Sequence, residues 1–575
     1  MKRTGKVLAI LLALAMLLSV TALAADKTTA WPIYGGDANH SSVVTGAPTT
    51  ASTTALNSYI DLSNGGRGWD GIDNVPVMET VGTGDDAVTY AYVLYDGYSS
   101  YGGQLAKINC SADTPYVVWH KQVSGASGFQ LSTPYLDTTN HAIYIGASNA
   151  SVYNDVAISS PVALTANTAG TVTINGLTLL TAANRVSVPV YVGHTSVAAR
   201  GTLTTEGTAT IQLGGGTAVN LTLSTTQSSS GTIYKIYEQA TYDDDGEVNG
   251  YDYYYYINHS VTASSLTDAT LSISVTLNGT GTIESVSMFA NKGAVTKITG
   301  IDSTDASGLT LTSVVSSVNG QINTPITRYG DYIYFGTWSG NTAMQYYQVK
   351  ISDSNFTTKT YTGNAGFYWA GAVQLGDYIY FGGDSGNLYY QLAGNDFGSN
   401  EDVVALTDKA SDAGNVRSTI MTDGTNLYFT SQGKYLWCYQ PNEDGVPEYQ
   451  WHIQLAGTST STPTLVQNSD GTTSIYTGYY TGFNAGGVQV TTVSGSTRTI
   501  DTVASGFPVQ CSILYSDGYV YFNTNASNGA GYCFNVATKT QAWTAGSDTY
   551  ALGGMACANG IVVFGNDHDM LYVVK

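Results

Sequence analysis

Gly330-Asp331-Tyr332-Ile333-Tyr334-Phe335-Gly336 and Gly376-Asp377-Tyr378-Ile379-Tyr380-Phe381-Gly382 are the same strand written twice, 46 residues apart. A Gly-Asp turn opens each copy. A period-two alternation of aromatic and aliphatic residues follows, which sends successive side chains to opposite faces of a sheet. Working outward, the strand returns at residues 426–430, 474–478, 518–523 and 560–565, and earlier at 88–95 and 142–146. With Gly336, Gly382, Thr430, Gly478, Asn523 and Gly565 as register marks, the steps are 46, 48, 48, 45 and 42 residues. Each step holds four short strands by pattern, separated by Gly, Asn and Asp turns. Repeats of about 40–50 residues with four strands each predict propeller blades. Marks at Tyr95 and Gly146 bring the expected count to eight. The last blade lacks an outermost strand, and residues 57–62 can supply it, which would close the ring and remove its unpaired edges.

One step is too long. From Gly146 to Gly336 is 190 residues, roughly 140 more than a blade needs. Gly103-Gln104-Leu105-Ala106-Lys107-Ile108 is echoed by Gly293-Ala294-Val295-Thr296-Lys297-Ile298, so the second blade is expected to resume near residue 293. The excess, residues 153–292, falls between the second and third strands of that blade. Its segments 171–180, 186–192, 208–213, 232–240, 253–261 and 269–277 alternate like strands, and a β-sandwich-like module is predicted. The expected division is a signal peptide over 1–25, propeller over 26–152, the insert over 153–292 and propeller over 293–575.

The leader reading rests on Lys2, Arg3 and Lys6, an apolar run from residue 7 to 20, and small residues around Ala24 and Ala25. The run is shorter than the roughly 20 residues that span a bilayer. A secreted or cell-surface protein with no transmembrane segment in its mature chain is therefore expected. Charge points the same way. Acids outnumber bases 42 to 21 and only 11% of residues are charged. Such a chain cannot neutralise phosphates, which excludes nucleic acid as a partner. Polar surface must come from Thr, Ser, Asn, Gly and 44 Tyr. Five Cys with no adjacent pair do not make a disulfide scaffold and read as small buried hydrophobes.

Trp31-Pro32-Ile33-Tyr34-Gly35-Gly36-Asp37-Ala38-Asn39-His40-Ser41 resembles the entry motif of quinoprotein-like propellers. Gly386-Asn387-Leu388-Tyr389-Tyr390-Gln391-Leu392 is similar to the repeat of that superfamily. The resemblance covers about 30–150 and 293–575. It implies an all-β, eight-bladed quinoprotein-like propeller. Dehydrogenase members bind pyrroloquinoline quinone (PQQ) with Ca²⁺, an aspartate base and often a vicinal disulfide. This chain has no adjacent Cys pair and no acid-plus-Asn set that aligns with those ligands, so the reading carries no quinone and favours a binding protein over an enzyme.

Loops that enter the inner strands, and loops that join second to third strands, lie on one face of a propeller, where a rigid ring positions them. On the entering loops the candidates are Gln130, Asn323, Trp369, Arg417 and Gln510, and on the second kind Trp338. Trp369 is placed to stack on a ring and Arg417 to clamp an anion. In the insert, Tyr251, Tyr253 and Tyr255 are candidates for a flat platform under sugar rings. Asp243, Asp245, Glu247 and Asn249 alternate like a Ca²⁺ loop, without the terminal Glu of the full pattern. Neither a nucleophile–base motif nor a phosphate-binding loop is present. The expected function is non-catalytic binding of extracellular glycan, cell wall or envelope protein by the loop face and the insert. The alternative is a quinone-dependent or carbohydrate-active enzyme with its site at the channel mouth.

Overall fold

The computed structural model describes residues 27–52, 56, 58–62, 71–95, 103–123, 132–148, 161–179, 181–225, 234–242, 248–290, 292–340, 342–399, 402–482 and 485–575. These residues are all-β and propeller-like, and they form ten sheets. Eight of the sheets are antiparallel meanders laid down in chain order. The first runs through Val77–Val81, Val88–Tyr95, Gln104–Asn109 and Tyr116–Gln122, with Ala30–Trp31 added beside Val77–Val81. The second is Tyr135–Asp137, Ala142–Ala147, Lys292–Thr299 and Thr310–Asn319. The third to seventh follow between residues 321 and 545. The eighth takes Ala556–Ala558, Ile561–Gly565 and Met570–Val574 from the end of the chain, and its outer strand, Tyr59–Asp61, from the beginning. Tyr59 lies opposite Tyr572 and Asp61 opposite Met570, as the strand pattern of residues 57–62 predicts.

The repeated glycine has a packing cause. A Cβ at Gly336 would sit 2.6 Å from Phe367, one at Gly382 2.2 Å from Val416, one at Gly478 2.6 Å from Val509, and one at Gly565 2.3 Å from Ile72. In each case the obstructing residue belongs to the strand entry of the next sheet. The contact at Gly565 joins the eighth sheet to the first. Between sheets, stacked aromatics fill the interior. Tyr346 lies 3.9 Å from Phe381 and Phe381 lies 5.5 Å from Tyr389, both stacked, with Phe367 edge-on to all three. This is the geometry aromatic pairs prefer.

The segment carrying the entry motif runs beneath the meanders and is bonded to most of them. The carbonyl of Pro32 accepts from Leu136 N of the second sheet, and Tyr34 Oη lies 3.2 Å from Thr462 Oγ1 at the sixth. His40 is fully buried and meets two carbonyls, Tyr34 O at Nδ1 (2.6 Å) and Ala372 O at Nε2 (2.8 Å). Tyr329 Oη lies 3.1 Å from its Nε2. Val43–Val44 then pairs in parallel with Leu514–Ser516 of the seventh sheet.

Between Ala142–Ala147 and Lys292–Thr299, which pair directly, the chain builds the other two sheets. One holds Gly170–Leu177, Gly207–Leu213, Val219–Leu223 and Ala269–Leu277. The larger one is built on Ala183–Ser196 and Val248–Thr262. Among the described residues their strands pair only within these two sheets, and the shared hydrophobic core runs from Leu164 to Met288. No residue of that cluster belongs to a core of the meander sheets. Four strands here were not apparent from the sequence: Val162–Leu164, Val219–Leu223, Gly281–Ile283 and Ser287–Ala290.

Candidate functional site

Two connected cavities lie where the eight meanders meet. The outer has a volume of about 430 Å³, inside the usual range of small-molecule sites. The inner recess is about 20 Å³ and reaches Tyr34 of the entry motif, Thr133 of the second sheet's approach and Pro325 of the third's. Asp73, Trp369, Arg417, Thr460, Gln510 and Leu552 line both, so the recess continues the outer cavity inward. Together they form a cup open at one end, with Tyr34 in its floor.

The wall of the cup comes from two kinds of loop. Approaches to first strands contribute Asp73, Tyr368, Trp369, Arg417, Thr460 and Gln510. The ends of second strands and the turns after them contribute Tyr480, within Thr473–Gly482, and Gln432, Asn525 and Asp567. The latter four stand two residues past the register marks Thr430, Gly478, Asn523 and Gly565. Two past Gly336 and Gly382 stand Trp338 and Asp384, which lie behind the wall and hold it.

Asp384 is the anchor. Its side chain is 1% exposed and accepts Arg417 Nε at 2.7 Å and Nη2 at 2.6 Å, a bidentate pair. Trp338 Nε1 donates to the same carboxylate at 2.9 Å. Arg417 lies with its guanidinium carbon 4.5 Å above the Tyr368 ring. Tyr368 in turn touches Trp338 edge-on at 5.1 Å and Trp369 at 5.4 Å. Burial drives the Tyr368 phenol well above its ordinary range, despite the opposing guanidinium. For Arg417, burial works against its charge, and the Asp384 contacts more than offset it.

Trp369 has φ +59°, in the left-handed region that bulky residues rarely enter. Its carbonyl accepts from Gly371 N at 2.8 Å and Thr419 Oγ1 at 3.3 Å, and these bonds hold the turn. Such backbone strain costs on the order of 1–3 kcal/mol and clusters at functional sites. Here it presents an indole at the cavity wall. Gln432 Oε1 accepts from Asn415 Nδ2 at 3.1 Å, and Thr460 Oγ1 donates to Gln510 O at 3.0 Å, which fixes the neutral polar part of the wall.

The structure brings three sequence candidates together in the cup: Trp369, Arg417 and Gln510. Trp338 supports the cup from behind through Asp384. Asn323 is fully buried outside the cavity lining and accepts from Ser148 Oγ at 3.2 Å. Arg417 is not an open anion clamp, because Asp384 already occupies its fork. Gln130 lies outside the described residues, as do Asp243, Asp245 and Glu247. Asn249 accepts from Thr241 Oγ1 at 2.7 Å. In the insert, Tyr253 and Tyr255 are 3% and 0% exposed, on the core side of their sheet. The Tyr253 hydroxyl accepts from Gly201 N at 2.7 Å, and the Tyr255 hydroxyl donates to Thr205 O at 2.7 Å. Neither can lie under a sugar; strand alternation puts Tyr254 and Tyr256 on the outer face instead. Tyr251 is half-buried against that core with Arg200 4.5 Å over its ring. Asp73, Tyr368, Tyr480, Tyr550 and Asp567 line the cup without having been singled out in the sequence. The two-residue offset from the register marks is the signal that finds Tyr480 and Asp567.

All five Cys are free and buried, and burial pushes the Cys511 thiol at the recess up to about 12. It is therefore no nucleophile at neutral pH. Among the described residues no three His, Cys, Asp or Glu side chains gather to hold a metal, and no helix is long and apolar enough to cross a membrane.

No family model matches the chain, and no curated protein does either. Among solved structures it is similar to a europium-containing methanol dehydrogenase, with 9% identity over 95% of this chain and 89% of that one, at a TM-score of 0.42. A chain of a mitotic checkpoint complex shares 13% identity over 50% of this chain and 82% of its own, at 0.35. Sqt1 of Saccharomyces cerevisiae shares 12% over 55% and 90%, also at 0.35. Those scores carry no argument about activity.

Proposed function

We propose that the eight meander sheets are the blades of one closed quinoprotein-like ring, and that this chain is a secreted, non-catalytic protein that binds glycan in the cup. The inserted β-sandwich-like module over residues 153–292 is a second, separately folded unit of the same cell-surface protein. One observation carries the binding reading: Trp369 is held in a strained turn at the wall of a 430 Å³ cup that also carries three tyrosines, the amides of Gln432, Gln510 and Asn525, two carboxylates and the paired Arg417. Flat rings and neutral hydrogen-bonding groups are what sugars require.

The quinone implied by the superfamily resemblance fits this wall poorly. PQQ is a polyanion, whereas among the described residues the cup presents the carboxylates of Asp73 and Asp567 and one guanidinium, which Asp384 engages. No step is assigned to it.

Co-sedimentation of the protein with cell-wall and polysaccharide fractions tests the reading. Binding is expected, and Trp369→Ala is expected to weaken it about tenfold, the loss of one stacked ring. Equal binding by wild type and Trp369→Ala would place the contact elsewhere than the cup.

A further inference from the structure

We infer that the cup is an end-binding site: it takes the terminus of a glycan chain, inserted from the mouth, and not a stretch from the middle of one. The inference rests on the reading of the cup as a glycan site and narrows its ligand class to chain ends. Three observations of the cup's shape support it.

Enclosure comes first. At the depth of the inner recess, every one of the eight meander sheets borders the space. The approaches to the first, second and third sheets supply Asp73, Thr133 and Pro325. Those to the fourth through eighth supply Trp369, Arg417, Thr460, Gln510 and Leu552. A chain that reaches this depth therefore meets wall all round. The floor comes second. Tyr34 lies in it, with its Oη 3.2 Å from Thr462 Oγ1 and its carbonyl 2.6 Å from Nδ1 of the buried His40. The recess above it measures about 20 Å³, room for about one water and none for a sugar ring, so a polymer does not thread past it. Third is the level of the stacking ring. Trp369 lines the recess as well as the outer cavity, and bonds from Gly371 N and Thr419 Oγ1 hold its turn there. A sugar on that ring lies below the mouth, in the enclosed part. The outer cavity, about 430 Å³, stands low in the range of small-molecule sites and admits the tip of a polymer, not a length of it. A chain held by its middle would have to enter and leave by one mouth, doubled back on itself. A terminus passes the mouth once.

The test is co-sedimentation of the full chain with purified peptidoglycan, chitin and cellulose. Each is used intact and after limited cleavage by an endo-acting hydrolase, washed free of soluble fragments. Equal masses are compared, and chain ends on the insoluble material are counted by a reducing-group assay. Where cleavage raises the ends about tenfold, the mass that half-saturates the protein is expected to fall about tenfold, because the affinity for each end is unchanged. Reducing those ends to alditols then assigns the terminus. Lost binding identifies the reducing end and retained binding the other, and either supports the inference. Trp369→Ala is expected to remove the end-dependent part. Gln510→Ala, at a second side chain that lines both levels, is expected to weaken it and keeps the test available if the first variant does not fold. Half-saturation that follows mass and ignores the number of ends would overturn the inference and leave the glycan reading standing. End-dependent binding unchanged in both variants would place the termini elsewhere than the cup and overturn it as well. No sedimentation with any of the three polymers would overturn both readings.

Discussion

Asp384 and Arg417 show how single residues set this site. Removing Asp384 would leave a guanidinium 21% exposed with neither of its bidentate bonds, and stranding a charge in this way costs about 3 kcal/mol. Asp384→Ala is therefore expected to lower unfolding free energy by about that amount in denaturant titration and to weaken ligand binding. Asp384→Ala together with Arg417→Leu should recover much of the stability and not the binding. His40 gives a second residue-scale prediction. Burial holds its imidazole below the ordinary 6.5, and the carbonyls of Tyr34 and Ala372 only partly oppose this. The native state thus favours the neutral ring, and the unfolded chain takes up the extra proton first. Stability is full above about pH 6.5 and falls as pH drops through that value. Thermal unfolding between pH 7.5 and 5.5 should show the fall. His40→Asn, which tolerates the native φ of +57°, should flatten it. Sequence alone singled out Trp369 and Arg417, because their place before an inner strand could be counted. It could not show that Arg417 is already paired, since Asp384 is 33 residues away and meets it only because the fourth and fifth sheets lie side by side.

At the scale of elements, the register glycine is a spacer rather than a turn former. Gly382→Ala would place a methyl 2.2 Å from Val416, with the strand backbone fixed on both sides. Overpacking of this kind costs about 1–3 kcal/mol, and chemical denaturation should read that loss with little change in slope. The strand pattern was legible because period two and the glycine mark act together. The eighth sheet's outer strand at Tyr59–Asp61 followed from the same count. Short strands were not legible: Gly281–Ile283 spans three residues and offers too few alternations to reveal a period. The tyrosine run at 251–256 was legible as a strand but not as to which face was buried. Three tyrosines (Tyr251, Tyr253 and Tyr255) sit on one side and two (Tyr254 and Tyr256) on the other, and only the partner sheet decides that Tyr253 and Tyr255 go inward.

At the scale of the whole molecule, the two sheets between residues 162 and 290 and the meander sheets keep separate cores among the described residues. A chain lacking residues 153–292, with the two ends joined by a short Gly-Ser linker, is expected to retain cooperative unfolding and β-type circular dichroism. Loss of folding would show that the meander sheets depend on residues 153–292. Composition predicted the neutral, hydroxyl-rich surface. It could not predict that two of the 42 acids, Asp73 and Asp567, come together at the cup, because they lie at opposite ends of the chain. That meeting of ends also sets a timetable. Tyr59–Asp61 is among the first strands to be synthesised, and its partner Met570–Val574 is the last. Until Met570–Val574 has been made, the early strand lacks this partner and the first and eighth sheets cannot meet at Gly565 and Ile72. Contacts so distant in sequence make for slow maturation. During that interval the unpaired edges are open to a chaperone, to a protease or to another copy of the chain.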